Sequence, residues 1–482
     1  MIDKTELILH FIDENLREVP ENLNNYIGDE TGKYKQRFEL DDIKKFIDEF
    51  INQNSRKRLI VLPGIRGVGK TTLLYQTYEY LLKQKNISPS QILYTSCDDL
   101  NDITECSIRE LTEIYLEEYH NTTIITLNKK IFLLIDEAQY DKNWGLSSKI
   151  LYDKSKNIFI LITGSSALEL KVSADVERRS TTHEILPLTY PHYLKLKYNI
   201  QIENNDELMI NTFLTGNIDE LKEKELQIKD TLINNINYTS MDWKNYLYYG
   251  GFPEYFDEED YKNISNNLVK MTKKVVKEDI TNIKNISEDN KTNANRVLRY
   301  LALLDSADIS INKLSNYLNT AIGNIDLILN LLEDTHLIFH IDAYGTPSLR
   351  TRKPKKYYFA TSSIKYALSN TLGNNIRERK KFEGVLIENM VASKLFEKTR
   401  KYDYLTLFYD SNKNGNVDFI IKEEFGRIIP IEVGRGKKDN KQIKKAIHDY
   451  KADYGIIISD TTRHVEKIDD IIYVPIKTFA LL

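Results

Sequence analysis

Four short apolar runs dominate the first part of the chain, and each is followed by a longer stretch with helical spacing. Leu59–Leu62, Ile92–Ser96, Ile131–Ile135 and Ile158–Thr163 are short and largely apolar, as strands buried on both faces are. Strand and helix alternating in this way predict a parallel, doubly wound sheet over residues 56–186. Residues 1–55 read as helical, with the apolar positions of LDDIKKFIDEFI (Leu40 to Ile51) recurring every three or four residues. After Pro187 the pattern becomes long, amphipathic and rich in polar residues, which predicts a helical lid over 187–294. The Asn-rich stretches at Asn204-Asn205 and Asn290 to Asn295 read as loops or boundaries.

Residues 295–362 carry a different pattern. A short helix over Ile311–Leu318, a turn at Asn319-Thr320-Ala321 and a second helix over Ile322–Asp334 precede a strand at Leu337–Ile341, with Lys356–Phe359 as its hairpin partner. Helix–turn–helix followed by a two-stranded wing is a shape used on DNA. The segment between the strands adds Arg350, Arg352, Lys353, Lys355 and Lys356, charges suited to phosphates. The second helix, however, contains no arginine or lysine, and such modules also serve as packing units; both readings stay open. Residues 380–482 read as a helix over Val385–Phe396, strands at Tyr404–Tyr409, Val417–Ile421, Ile428–Val433 and Gly455–Ile458, and a helix near Gln442–Tyr450.

The chemistry concentrates after the first strand. Gly64-Ile65-Arg66-Gly67-Val68-Gly69-Lys70-Thr71 is a complete phosphate-binding loop between the strand Leu59–Leu62 and a helix opening at Thr72. The glycines let successive backbone N–H groups converge on phosphate oxygens, and the helix N-terminus adds its positive end. Lys70 then reaches the β- and γ-phosphates, while the Thr71 hydroxyl ligates Mg²⁺. The third strand ends in Asp136-Glu137, and a carboxylate at the C-terminal end of a strand in an open α/β sheet lies beside that loop. Asp136 is expected to hold Mg²⁺ through water and Glu137 to orient or deprotonate the attacking water.

Composition narrows the setting. With 482 residues the chain is long enough for about three domains. Its formal charge of −4 gives no global basic footprint, so a nucleic-acid surface would have to be local. Cys97 and Cys106 are the only cysteines and form no CxxC pair, which fits a reduced cytosol. No apolar run approaches the ~20 residues of a membrane span, and Met1-Ile2-Asp3-Lys4 opens no signal peptide. A cytoplasmic protein without membrane contact is the expectation.

Across nearly its whole length the chain resembles the prokaryotic AAA-type ATPases that carry a C-terminal restriction-endonuclease-like domain of unknown function. The matching pieces are GIRGVGKTTLL, LLIDEAQYDKNW, ILITGSSALEL, Arg178-Arg179 leading into LPLTYPHY, then YGGFPEY, KYYF, LIENMVASKLF, NVDFII and IPIEV. The resemblance implies an α/β fold: a P-loop AAA+ type parallel sheet of five strands, a helical lid, a winged helix and a C-terminal nuclease-like α/β domain. It also implies ATP over GTP, since no NKxD run follows the sheet. Thr163 and Ser165 fall where related ATPases sense the γ-phosphate. Arg178 or Arg179 falls where the family keeps an arginine able to neutralise transition-state charge, in cis or from a neighbouring subunit; action in trans implies an ATP-dependent homo-oligomer.

In the C-terminal domain Asp418 and Glu432 match the acidic positions of the PD-(D/E)xK nucleases, and Glu388 offers a third carboxylate for a second metal. The lysine position after Glu432-Val433 is Gly434; Arg435, Lys437 and Lys438 are the nearby cations. Without that lysine, cleavage is expected to be weak or absent. The residues and the resemblance together lead to the expectation of a Mg·ATP-driven switch with one of two outputs. It acts on DNA or RNA through its C-terminal domains, or it is a signalling or scaffold ATPase whose C-terminal domains bind a protein partner.

Overall fold

The computed structural model describes residues 3–30, 32–165, 174–202, 206–256, 258, 260–305, 308–371, 379–412, 417–434 and 440–482, with the backbone alone at 174, 308, 379 and 380. It divides into two compact units. Unit 1 comprises Met1–Leu186 together with Glu278–Asn285; unit 2 comprises Pro187–Lys277 and Ile286–Leu482. Part of the ILITGSSALEL motif, Asn204-Asn205, and Arg435, Lys437 and Lys438 lie outside the described residues.

Unit 1 is built on five strands: β1 (Leu59–Pro63), β2 (Ile92–Ser96), β3 (Ile131–Asp136), β4 (Ile158–Gly164) and β5 (Thr181–Thr182). They lie in the order β2-β3-β4-β1-β5, and every pairing is parallel. Alternate side chains of these strands enter different cores, because the strand period is two. Leu59 and Val61, with Leu133, Ile135, Ile160 and Ile162, pack with Ile8, Phe11 and Ile12 of the helix Lys4–Tyr26. Phe132 and Phe159 instead meet Phe50 of the helix Glu39–Gln53, with ring centroids 5.6 and 5.5 Å away. The sheet is thus covered on both faces, which is why its strands read as unbroken apolar runs. A small antiparallel hairpin, Gly28–Asp29 with Gly32–Lys33, separates those two helices.

Unit 2 holds a mixed nine-stranded sheet of β6 (Asp308–Ile309), β7 (Ile338–Ala343), β8 (Lys355–Phe359), β9 (Leu405–Tyr409), β10 (Phe419–Glu423), β11 (Ile428–Gly434), β12 (Gly455–Ser459), β13 (Glu466–Ile468) and β14 (Ile471–Pro475). Their order is β13-β14-β12-β11-β10-β9-β7-β8-β6. The helix–turn–helix forms as Ile311–Leu318 and Ile322–Asp334, with Asn319 in the left-handed region at φ 51° between them. The β7–β8 hairpin follows, but it does not stand apart as a wing. Phe408 and Tyr409 of β9 pair in parallel with Asp342 and Ala343 of β7, so the hairpin and the C-terminal strands form one sheet. The helix Arg379–Lys401 is pinned to this sheet by Asn389. Its side chain accepts from the Phe359 N–H at 3.0 Å and donates to the Phe359 carbonyl at 2.8 Å, as a neighbouring strand would.

Two local expectations change. Asn290 to Asn295 lie within the helix Glu288–Leu303, not in a loop. Ser287 caps that helix at the Asn290 N–H, Asn295 bonds back to the Lys291 carbonyl at 3.1 Å, and Asn293 donates to Thr320 at 2.9 Å, so the Asn293 and Asn295 side chains find partners in helical form. The strands β13 and β14 follow the last predicted one and pair antiparallel. Among the described residues no helix is long and apolar enough to cross a membrane.

Candidate nucleotide-binding site

The loop after β1 has a backbone that only this spacing of glycines permits. Gly67 and Gly69 adopt φ of 82° and 94°, the left-handed region where side chains are strained. A Cβ at Gly64 would come within 2.4 Å of the Ile185 carbonyl oxygen. The apolar loop residues Ile65 and Val68 are buried and anchor the curl. Behind it the buried Arg37 donates to the Val68 carbonyl at 2.7 Å and to the Leu186 carbonyl at 3.1 Å, with Glu39 on its remaining face. The helix Lys70–Glu79 then starts directly from Gly69, aiming its free N–H groups into the loop.

Lys70 is buried, and its ammonium donates to the carbonyls of Gly64 and Ile65 at 2.8 and 3.0 Å. Burial lowers its pKa, while Glu137 and Asp136 work to keep it charged. Asp136, at the end of β3, gathers residues from three elements. Thr71 donates to its Oδ2 at 2.7 Å, Thr163 at the end of β4 donates to Oδ1, and the Glu137 N–H reaches Oδ1 at 3.1 Å. Strand order explains the meeting, since β4 lies between β1 and β3. Burial raises the Asp136 pKa, as does neighbouring Glu137; the hydroxyls of Thr163 and Thr71 and the Lys70 charge pull it down.

Glu137 holds φ at 51°, uncommon for a residue with a side chain. Its carboxylate is gripped by the Gln139 amide, whose oxygen accepts from the Ser165 N–H at 3.2 Å. Ser165 is buried, and its hydroxyl has no hydrogen-bond partner among the described residues. Thr72 follows Thr71 on the first helical turn and is half-buried. The loop, Lys70, Thr71, Asp136, Glu137, Thr163 and Ser165 therefore occupy one end of one sheet. Such an arrangement can cradle a polyphosphate, hold one divalent cation on Thr71 and Asp136, and present a carboxylate to water.

Other candidate residues stand in different settings. Arg178 pairs with Asp175 at 3.0 Å, and Arg179 with Asp153 at 2.7 Å, in a surface group completed by Lys149. Among the described residues no group of three His, Cys, Asp or Glu side chains stands close enough to hold a metal, so Glu388, Asp418 and Glu432 do not form a ready three-carboxylate site. Glu388 accepts from the Tyr358 hydroxyl at 2.9 Å, and Asp418 accepts from the Val433 N–H at 2.7 Å. Burial raises the Glu388 pKa, as does nearby Asp418, while Lys356 and Lys365 oppose the rise. Those lysines come from β8 and the helix Ser362–Thr371, not from the position of Gly434.

Two residues of the site are invisible in the local sequence. Arg37 has already been placed behind the loop. Asp279 is the other: it is buried, and its carboxylate receives the Arg66 Nε at 3.3 Å, with Glu278 accepting from the same guanidinium at 2.8 Å. Burial works against the Arg66 charge, but Asp279 and Glu137 outweigh it and raise the pKa. No motif links positions 213 residues apart; the nearest signal was an acidic pair among lysines, Lys277-Glu278-Asp279.

Comparison with known proteins agrees with this architecture. Residues 56–194 match the family model described as an AAA domain. Residues 240–375 and 383–479 match two models described as domains of unknown function, DUF8612 and DUF4143. The uncharacterized protein MJ1637 of Methanocaldococcus jannaschii is 35% identical over 472 residues, covering 98% of this chain and 93% of the relative. The uncharacterized protein MJ1544 of the same organism is 27% identical over 433 residues, covering 84% and 83%. Among solved structures, the Walker-type ATPase paby2304 of Pyrococcus abyssi aligns with a TM-score of 0.36 at 16% identity, over 70% of this chain and 98% of that one. The chain belongs to the family of MJ1637, and its first domain is that of an AAA-type P-loop ATPase.

Proposed function

We propose that the chain binds Mg·ATP in the 64–71 loop and hydrolyses it slowly, as a conformational switch. The observation that carries this reading is the convergence of Thr71 and Thr163 on the two oxygens of Asp136, beside a buried lysine. In it Gly64, Ile65, Arg66, Gly67, Val68, Gly69, Lys70, Thr71 and Thr72 surround the phosphates. Lys70 exchanges its loop carbonyls for phosphate oxygens, and Thr71 with Asp136 holds Mg²⁺, which neutralises phosphate charge when bound. Glu137 orients or deprotonates the attacking water, with Gln139 fixing its carboxylate. Thr163 and Ser165 sense the γ-phosphate. Arg178 or Arg179 serves a neighbouring subunit in an ATP-dependent homo-oligomer, consistent with their surface setting. The test is nucleotide binding and turnover by the wild type, Lys70→Ala and Glu137→Gln.

For the output, the helix–turn–helix supports action on DNA or RNA. A specific set of contacts favours the second reading, a protein partner held by unit 2. Arg350 stacks on Phe408 with its guanidinium 4.2 Å from the ring centre and donates to the Gly345 carbonyl. Lys353 leans on the Ser411 carbonyl, and Lys356 lies over Tyr409. Much of the basic cluster is thus used within the fold, and Arg352 is its one exposed cation. In this reading the C-terminal carboxylates retain at most weak divalent-metal binding and cleave nothing.

A further inference from the structure

Arg66 sits third in the phosphate loop, four positions before Lys70, the residue that in such loops reaches the β- and γ-phosphates of a bound triphosphate. Its guanidinium is turned to two carboxylates. Asp279 takes Nε and Nη2 at 3.2 to 3.3 Å, and Glu278 takes Nη2 at 2.8 Å. Asp279 is almost fully buried, and the charge of its carboxylate interacts with Lys70 as well as with Arg66. Asp136, Glu137, Asp279 and Glu278 thus share the neighbourhood of two cations, Lys70 and Arg66. A triphosphate adds more negative charge, and guanidinium binds phosphate and carboxylate with the same planar fork. Both claims on Arg66 cannot be met in full.

Resting on the ATP reading above, we propose that Arg66 is the residue that distinguishes a triphosphate from a diphosphate, with Asp279 and Glu278 as positioning residues competing with the terminal phosphate for its guanidinium. The segment Glu278–Asn285 is packed with unit 1, whereas the residues on both sides of it belong to unit 2. It also begins at the end of the π-helical turn Val275–Asp279, a local distortion frequent at functional sites. Capture of Arg66 by the terminal phosphate loosens this segment from the loop. A diphosphate leaves it held.

Calorimetry with ADP and with a non-hydrolysable ATP analogue, on full-length protein with Mg²⁺, tests the proposal. Arg66→Ala should weaken the analogue about tenfold or more, with ADP changed less than about threefold. Asp279→Asn and Glu278→Gln should each tighten the analogue severalfold and leave ADP unaltered. Hydrogen exchange over 275–286 should rise with the analogue in the wild type, and be raised without nucleotide in Asp279→Asn. Arg66→Lys, which keeps the charge but not the fork, should restore part of the analogue's affinity. An equal loss of both nucleotides in Arg66→Ala, or weaker analogue binding in Asp279→Asn and Glu278→Gln, would overturn the competition. A wild type that binds neither nucleotide would instead remove the ATP reading itself.

Discussion

The hydroxyl of Thr71 donates to Asp136 at 2.7 Å across 65 residues of sequence, joining the phosphate loop to the end of β3. Asp136 is buried and its pKa is raised chiefly by that burial, so this bond and the one from Thr163 hold its charge in place. Thr71→Ala removes one ligand of the proposed Mg²⁺ and one support of Asp136. Loss of the bond should cost about 1 kcal/mol of unit 1 stability. ATP affinity should fall at least about tenfold with Mg²⁺, yet change little when the metal is chelated; calorimetry under both conditions checks this. An equal loss in chelator would show that Thr71 shapes the loop and not the metal site.

Glu137→Gln preserves the size of a side chain already bonded to Gln139. If Glu137 serves the attacking water, turnover should fall by ~10² to 10⁴ while ATP stays bound. Single-turnover phosphate release and nucleotide retention on a filter measure the two effects separately. Turnover at the wild-type rate would exclude this carboxylate from the chemistry.

Unit 2 should become more stable as pH rises above neutrality. Lys365 donates to the carbonyls of Leu301 and Leu304, and burial lowers its pKa to about 8. Lys394 is buried beside Phe479, bonded to the Ala480 carbonyl, and burial lowers it to about 7. In the unfolded chain both keep the ordinary lysine value, so from about pH 7 or 8 upward the unfolded state holds protons that the folded state has released. Stability therefore rises with pH over about 7 to 9.5, until ionising tyrosines reverse the trend. Denaturant midpoints across that range should climb, and Lys394→Met with Lys365→Met should flatten the climb. A flat wild-type profile would mean that both ammonium groups stay charged when folded.

How far the sequence discloses this structure depends on the range of the signal. The strands of unit 1 are legible because burial on both faces makes them continuous apolar runs, and the phosphate loop because its chemistry is contiguous. Arg37 and Asp279 are not, since their partners are set by tertiary packing and not by spacing. The same holds for β7 and β9: each is recognisable alone, but nothing in Phe408-Tyr409 announces a parallel pairing with Asp342-Ala343. Asn290 to Asn295 mislead because asparagine favours turns, a preference overridden here by the Ser287 cap and by the packing of Asn293 on Thr320.

The engaged basic residues of the β7–β8 connection carry a prediction about nucleic acid. Because Arg350, Lys353 and Lys356 already have partners in unit 2, no salt-sensitive mobility shift with duplex DNA or RNA is expected, with or without ATP. A shift that weakens with salt and disappears when Arg352, Lys353, Lys355 and Lys356 are replaced would restore the nucleic-acid reading.

Whether the 64–71 loop holds a nucleotide is decided by ATP binding to the wild type and to Lys70→Ala, measured by calorimetry with Mg²⁺ present. Lys70 is the buried cation of the loop, bonded to the Gly64 and Ile65 carbonyls that a phosphate would replace as its partners. Stoichiometric binding by the wild type is expected, with a loss of at least about a hundredfold in the variant and the fold retained by circular dichroism. Equal affinity of the two proteins for ATP would contradict nucleotide binding by this loop.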